Sequence, residues 1–241
     1  MPDSSSESLP SRYLDGTQLA AAPDWYESDA AWKAERVRDM MRKHDIEPSS
    51  ICDVGCGTGG VLDHLSRTLP PTTELVGFEM SPQAVALAPE ARKQRITFVS
   101  EWAAGREGGF DLMLVLDVFE HVDDYLGFLR TIRGKAGSFI FHIPLDVSVQ
   151  TVLRGSPFTR ARQSLGHLHY FSRDTALATL HDTGYEIVDE ALTQPGIDLW
   201  GGKSRLARLP RKAAFRLNPR LAARVMGGFS LLVLAKPDEA R

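Results

Sequence analysis

The chain has 241 residues, of which 43% are hydrophobic and 24% are charged, enough for one globular domain with its own core. The formal net charge of −3 argues against a dedicated nucleic-acid binder, and no apolar run is long enough to span a membrane. Two cysteines, Cys52 and Cys56, are too few for a disulfide framework, so a cytoplasmic location is expected.

The N-terminal residues 1–20 are polar and predict a disordered tail, because they lack the basic start and apolar stretch of a secretory signal. Residues 21–241 are predicted to form a single domain. Its first element is a helix over 28–44, where apolar residues recur at helical spacing.

Short apolar strands then alternate with helices, and this alternation predicts a mostly parallel sheet with helices on both faces. The predicted strands are 50–54, 74–79, 96–99, 110–116, 138–143, 185–192 and 229–236. The predicted helices after the first are 59–69, 82–88, 123–133 and 173–183. Two longer connections, an insertion over 145–166 and a basic segment over 197–227, interrupt the pattern.

A glycine-rich loop, ICDVGCGTGG over 51–60, follows the first predicted strand and opens a helix. Its G-x-G-x-x-G pattern lets the backbone approach a ligand closely, but nicotinamide and flavin enzymes share it. Glu79, about 20 residues further on, suits a ribose diol in any of these proteins. Asp53 discriminates between them, because a carboxylate at the loop mouth repels a pyrophosphate but attracts the ammonium group of an amino-acid ligand.

The chain resembles the class I S-adenosylmethionine-dependent methyltransferases, in particular the bacterial small-molecule group. Four stretches in order carry the resemblance: DVGCGTGG, LVGFEMSPQAVALA, FDLMLVLDVFEHVDD and GHLHYFSRDTALATLHDTGYEIV. The resemblance covers roughly 28–236. It implies an α/β Rossmann-like methyltransferase fold, with a seven-stranded, mostly parallel sheet, an antiparallel last strand and helices on both faces.

The resemblance also implies which residues hold S-adenosylmethionine. Asp53 is expected near the methionine ammonium group, Glu79 at both ribose hydroxyls, and Asp117 beneath the methionine moiety. Lys33, on the predicted lid helix over 28–44, is expected to pair with the methionine carboxylate. The other expected cofactor-binding residues are Gly55, Cys56, Gly57, Gly59, Met80, Glu101 and Trp102.

Histidines provide the candidate bases, because methyl transfer to a hydroxyl or protonated amine is helped by a group whose pKa lies near 7. His169 is the preferred candidate, and His142 and Tyr170 are further catalytic candidates. Strand alternation predicts that His167 and His169 share one face. The alternatives are structural: His142 bonding backbone at a strand end, and Tyr170 packing in the core.

The acceptor is expected to contact four residues, Trp25, Tyr26, His121 and His167. Ordinary helix packing is the alternative for the two aromatic residues, and a structural or cofactor-supporting role is the alternative for His121. No metal is predicted, since no nearby cysteine or clear carboxylate set completes a site with the histidines.

The basic segment suggests that the acceptor is anionic or bound to a carrier. Residues 203–226 contain eight lysines and arginines and no acid, and the insertion adds Arg154, Arg160 and Arg162. A solvated pair of helices is the alternative interpretation.

The predicted function is biosynthetic methyl transfer from S-adenosylmethionine to a small-molecule or glycan acceptor, at oxygen. One alternative is another transfer or a cyclisation that releases methylthioadenosine, and a more remote one is a non-catalytic cofactor-binding module. Nucleic acid is not expected, because the loop after the fourth strand reads LDVFEHV and not Asn/Asp-Pro-Pro-aromatic. The oligomeric state is left open.

Overall fold

The computed structural model describes residues 27–100, 109–195 and 205–239, without the side chains of 205–209. Within these ranges seven strands form one sheet. They are β1 Ser50–Val54, β2 Glu74–Phe78, β3 Thr97–Val99, β4 Phe110–Leu116, β5 Ala136–Leu145, β6 Tyr185–Thr193 and β7 Phe229–Pro237. All seven confirm predicted strands, with ends that differ by two residues or fewer.

The strand order is β3-β2-β1-β4-β5-β7-β6. The five strands from β3 to β5 pair in parallel, and β7 pairs antiparallel with both β5 and β6. This topology confirms the predicted Rossmann-like sheet. β2 lies on one side of β1 and β4 lies on the other, so the direction in which strands are added reverses between β1 and β4. In open α/β sheets, ligands bind in the crevice at the carboxyl ends of the two strands where this reversal occurs.

The helices of the described residues cover the sheet. They are α1 Glu27–Lys43, α2 Gly60–Ser66, α3 Pro82–Leu87, α4 Glu90–Arg95, α5 Tyr125–Arg133, α6 Val149–Arg154, α7 Ser156–Arg160, α8 Arg173–Asp182, α9 Arg205–Leu217 and α10 Pro219–Met226. The predicted helices are all present, although α2 ends earlier than expected. The short helices α4, α6 and α7 were not predicted, because one or two turns are too short to show a helical period.

Alternation along the central strands divides the core into two layers. Leu112 and Leu114 of β4 lie on the side covered by α1 and α2, whereas Met113 and Val115 pack on the other side with Phe119. All of these side chains are fully buried. A strand that is buried on both faces is typical of a parallel sheet covered by helices, and it makes the β4 end a rigid support for the residues that follow.

None of the described helices combines the length and the apolar character that crossing a membrane requires.

Candidate active site

A cavity of about 890 Å³ lies at the carboxyl ends of β1 and β4. Its volume is in the range of small-molecule sites, roughly 300–1,000 Å³. The glycine loop, Glu79 and Met80 line one part of it, and Glu120, His121 and His167 line another. We call these parts the cofactor end and the acceptor end.

The glycine loop turns sharply because its glycines adopt backbone conformations that other residues avoid. Gly57 has φ 57° and Gly59 has φ 79°. A Cβ on Gly59 would lie 2.7 Å from the ring of Phe98. Gly59 therefore supports the loop from beneath and is not among the residues that line the cavity, unlike Gly55, Cys56 and Gly57. The geometry therefore does not support the cofactor contact expected of Gly59, which stays a prediction.

Glu79 joins the end of β2 to the glycine loop. Its buried carboxylate accepts hydrogen bonds from the backbone N–H groups of Gly57 and Ser81, each at 2.8 Å. Burial raises the pKa of this carboxyl, and the backbone donors oppose the shift. A carboxylate offers about four lone-pair sites, so Glu79 keeps capacity to accept from a ribose hydroxyl. Met80 beside it also lines the cavity and is 45% exposed.

Asp53 is buried at the mouth of the loop and lines the cavity. Burial raises its pKa to about 7, with Lys33 opposing the shift and Glu79 adding to it. An ammonium group that binds beside Asp53 would favour the charged form of its carboxyl, because the two groups then carry opposite charges. The residues of the cofactor end therefore suit an amino-acid ligand that also carries a ribose.

Cys56 packs into the space left by Gly77 on β2. A Cβ on Gly77 would lie 2.6 Å from the Cys56 Sγ atom. Burial raises the pKa of the Cys56 thiol well above its usual value, and Asp53 and Glu79 add to the shift. The close packing and the raised pKa both disfavour Cys56 as a nucleophile.

A chain of polar contacts crosses the floor of the cavity from α1 to β6. Lys33 Nζ lies 2.8 Å from Asp117 Oδ2, and His142 Nδ1 donates to Asp117 Oδ1 at 2.7 Å. The second ring nitrogen of His142 lies 3.1 Å from Thr193 Oγ1. Both nitrogens of His142 are therefore engaged, which disfavours this residue as a base.

The charges in this chain stabilise one another. Burial opposes ionisation of Asp117, but His142 and Lys33 outweigh it and lower the pKa of the carboxyl. Burial likewise opposes the charge on Lys33, and Asp117 outweighs it and raises the pKa of the amine. Lys33 was expected to pair with the methionine carboxylate, and the structure pairs it with Asp117 at the edge of the same cavity.

His169 and Tyr170 do not line the cavity. His169 Nε2 donates to the backbone carbonyls of Val122 at 2.9 Å and Asp123 at 3.2 Å. The Tyr170 hydroxyl donates to the Phe158 carbonyl at 3.1 Å. The geometry therefore does not support the catalytic roles predicted for these two residues, which stay predictions.

The expectation that His167 and His169 share one face is wrong, because their segment is not a strand. The backbone N–H groups of Leu168 and His169 both donate to the carbonyl of Glu120, at 2.8 and 3.1 Å. This irregular turn brings His167 to the cavity and leaves His169 outside it.

His121 and His167 meet at the acceptor end, where their rings pack edge to face with centroids 5.0 Å apart. His121 Nδ1 donates to the Gly166 carbonyl at 3.1 Å, and His167 Nδ1 donates to Asp146 Oδ2 at 2.6 Å. Both were predicted to contact the acceptor, and both line the cavity.

Glu120 was missed by the sequence interpretation. Its side chain is 0% exposed and lines the cavity, and neither carboxylate oxygen has a hydrogen-bond partner among the described residues. Burial raises the pKa of this carboxyl, and the negative charges of Asp117 and Asp146 add to the shift. The available signal was a charged residue between apolar neighbours in VFEHV, directly after a buried strand.

Helix α1 forms one wall of the cavity, through Glu27, Trp32 and Lys33 among others. Glu27 accepts a hydrogen bond from the Thr58 hydroxyl at 2.7 Å and pairs with Arg92. This helix is therefore tied to the glycine loop and to α4. Four predicted site residues, Trp25, Tyr26, Glu101 and Trp102, lie outside the described residues.

Part of the charge of the basic segment is balanced by acids from other elements. Arg220 lies 3.2 Å from Glu190, and Arg224 lies 2.7 Å from Asp174. Lys212 and Arg216 are exposed. Among the described side chains of α9 and α10, none lines the cavity, so these cations lie outside the site itself.

Three comparisons extend these observations. A ubiquinone biosynthesis O-methyltransferase of Xanthomonas euvesicatoria pv. vesicatoria is 23% identical over 211 residues, covering 78% of this chain and 85% of the relative. A norajmaline N-methyltransferase of Rauvolfia serpentina is 29% identical over 125 residues, but this match covers 48% of the chain and only 40% of the relative. The crystal structure of the N-methyltransferase NodS of Bradyrhizobium japonicum WM9, in complex with S-adenosyl-L-homocysteine, has a TM-score of 0.59 at 16% identity, covering 95% of this chain and 100% of that one.

A Rossmann-like sheet with a glycine loop and an acid at its switch point defines a nucleoside-binding α/β enzyme. The chain belongs to the methyltransferase domain family, whose model matches residues 26–190, more than half of the sequence. This membership confirms the predicted class of S-adenosylmethionine-dependent methyltransferases and its cofactor.

Proposed function

We propose that this protein transfers the methyl group of S-adenosylmethionine to a hydroxyl oxygen of a small-molecule acceptor. The observation that carries the proposal is the continuity of the cavity. The glycine loop and Glu79 line the same space as Glu120, His121 and His167. A cofactor at one end is thereby within reach of an acceptor at the other.

The residues present suit the cofactor, which supplies a methyl group on a sulfonium leaving group. Asp53 would bind its ammonium group, Glu79 its ribose hydroxyls, and the backbone at Gly57 its nearby edge. The apolar side chains of the cavity, including Val61 and Phe128, would limit the access of water to the reacting atoms. The protein then acts mainly by positioning the acceptor. In well-oriented systems such positioning lowers the activation barrier by ~7–11 kcal/mol.

The chemistry of the acceptor end favours oxygen over nitrogen. A hydroxyl is a weak nucleophile until its proton is removed, whereas a neutral amine needs no proton acceptor. Glu120, His121 and His167 place a carboxylate and two imidazoles around one part of the cavity. The relatives include both an O-methyltransferase and an N-methyltransferase, and the former aligns over the larger share of this chain.

The exposed cations of the basic segment support an anionic or carrier-bound acceptor. Lys212 and Arg216 are exposed, and among the described side chains of their helices none enters the cavity. The anionic group of the acceptor would therefore bind these cations outside the cavity, while the hydroxyl of the same acceptor enters the cavity. We place the protein in the cytoplasm, which suits the buried free thiols of Cys52 and Cys56.

A labelled cofactor tests this function. The protein is incubated with S-adenosylmethionine carrying a deuterated methyl group and with a small-molecule extract, and the products are analysed by mass spectrometry. The expected result is S-adenosylhomocysteine together with a product whose fragments carry the label on oxygen. Label on nitrogen would contradict the oxygen assignment, and methylthioadenosine as the spent cofactor would contradict methyl transfer.

A further inference from the structure

Three side chains at the acceptor end converge as a set of metal ligands. Glu120, His121 and His167 each offer one ligand atom, and these atoms all lie within 4.8 Å of one another. His121 Nε2 lies 3.9 Å from Glu120 Oε1. The three residues come from two segments, one after β4 and one after β5.

The burial of the Glu120 carboxylate and its lack of hydrogen bonds within the described part of the chain are the observation that points to a bound cation. The side chain is fully buried, and both oxygens lack a hydrogen-bond partner among the described residues. Removing an unpaired carboxylate from water is costly, and buried charges in folded proteins are generally paired or coordinate metals. The carboxylate lines the cavity, so a cation can reach it there.

The two histidines are oriented as metal-binding histidines usually are. Each donates its Nδ1 hydrogen to an oxygen, His167 to Asp146 at 2.6 Å and His121 to the Gly166 carbonyl at 3.1 Å. Such bonds fix the tautomer in which Nε2 carries the lone pair, and carboxylate–histidine–metal arrangements are built this way.

The backbone braces the same cluster. The carbonyl of Glu120 accepts hydrogen bonds from the N–H groups of Leu168 and His169, at 2.8 and 3.1 Å. The segment that carries Glu120 and His121 is thereby tied to the segment that carries His167. The ligand set is held together before any ion binds.

We propose that Glu120, His121 and His167 bind one Zn²⁺ ion in this methyltransferase. Two imidazoles and one carboxylate are a donor set that zinc prefers, and three protein ligands leave a fourth position open. Ligands around tetrahedral zinc lie about 3.3 Å apart, so the set contracts by up to ~1.5 Å on binding. The sequence interpretation predicted no metal because it lacked the carboxylate.

The role of the ion rests on the proposed function. The acceptor hydroxyl occupies the open position, where its oxygen forms a bond to the metal and its O–H proton passes to solvent water. A bound zinc ion lowers the pKa of water from 15.7 to about 7, and it acts on a hydroxyl in the same direction. The acceptor oxygen is then an anion held beside the cofactor end.

Zinc binding is measured directly by equilibrium dialysis of the metal-free protein against Zn²⁺, with metal content determined by mass spectrometry. The expected result is about one ion per chain. Glu120→Gln and His167→Gln should each weaken binding more than ~100-fold, and Asp146→Asn, which removes an orienting bond, by ~10–100-fold. His181→Gln is the control, because His181 is an exposed histidine on α8 outside the cavity. Zn²⁺ should also raise the Tm of the parent and of His181→Gln but not that of Glu120→Gln. The melting transition of Glu120→Gln shows at the same time that this variant is folded.

Two results would overturn the site: a parent protein that binds Zn²⁺ no better than Glu120→Gln, or Glu120→Gln retaining parental affinity. S-adenosylmethionine binding and methyl transfer are measured on the same samples. If the parent protein binds no zinc but still binds the cofactor and transfers methyl groups, the metal site alone is defeated. Zinc binding without any methyl transfer would leave the metal site standing and defeat the proposed function.

Discussion

At the cofactor end, one loop of consecutive residues and the acid beside it in the sheet supply the ligand-facing groups. At the acceptor end, side chains from two separate segments supply them. Glu79 holds the backbone of Gly57 at 2.8 Å, so the first end is internally satisfied. Glu120 has no such bond among the described residues. The fold itself satisfies the carboxylate of the cofactor end, whereas the carboxyl of the acceptor end is left for the proposed Zn²⁺ ion.

Breaking the glycine loop gives the largest expected effect. Gly57→Val places a β-branched residue at φ 57°, a conformation that costs such residues severely. S-adenosylmethionine binding measured by calorimetry should fall by ~1,000-fold or more, which corresponds to about 4 kcal/mol, because the loop is distorted and the new side chain obstructs the cofactor. Zinc binding at the other end should persist.

Gly134→Ala is the matched control, because a Cβ there meets nothing within 4 Å. A folded Gly57→Val protein with parental cofactor affinity would show that the loop does not form the cofactor end.

Replacing Glu79 sharpens the same comparison with a smaller change. In Glu79→Gln one of the two backbone donors, Gly57 or Ser81, faces an amide N–H₂ group, and the ribose loses a charged acceptor. Hydrogen bonds to charged groups are worth ~1.5–3 kcal/mol, so cofactor affinity should fall about 10- to 100-fold. Glu74→Gln, at an exposed position at the start of β2, is the control. Equal affinities for both variants would contradict the role of Glu79.

The charge of Asp53 predicts a pH dependence. Burial raises its pKa to about 7, opposed by Lys33 and reinforced by Glu79, so the carboxyl is protonated below that pH. An ammonium ligand needs the charged form, and affinity for S-adenosylmethionine should rise between pH 5 and 7, by at most ~10-fold per pH unit. Calorimetry in buffers of different ionisation enthalpy should detect a released proton, and Asp53→Asn should remove it.

The same shift affects stability with the opposite sign. The folded pKa lies above the ordinary value of 3.8, so the contribution of Asp53 to the free energy of unfolding is complete below about pH 4 and is lost as the pH rises through about 7. Asp53→Asn should therefore flatten this part of the stability curve. A pH profile identical to that of the parent would contradict the shifted pKa.

The basic surface is expected to give the smallest effect. Lys212→Gln combined with Arg216→Gln should raise the acceptor KM a few-fold at low salt and less at high salt, where charges are screened. Arg220→Gln with Arg224→Gln is the control pair, because Glu190 and Asp174 already balance those charges. If the two pairs of substitutions give equal kinetics, the basic segment is a solvated pair of helices that takes no part in acceptor binding.

The fold and the cofactor end could be predicted because their signals are local. Alternating apolar segments give the strands, and a short glycine motif with Glu79 gives the loop. The acceptor end could not be predicted in the same way, since Glu120 and His167 become neighbours only through backbone hydrogen bonds between distant segments. The preference for His169 rested in part on a strand, and the chain forms an irregular turn there, so the structure supports His167 and not His169 as a neighbour of the cavity.

The close fit of Cys56 against Gly77 links the side-chain sizes that the two positions can have. An alanine at 77 would bring its Cβ within 2.6 Å of the thiol sulfur, so that step is obstructed while the cysteine remains. A smaller residue at 56 opens the space and makes the second substitution accessible. The two positions are therefore sterically coupled, and the thiol must move or be shortened before a side chain can be added at 77.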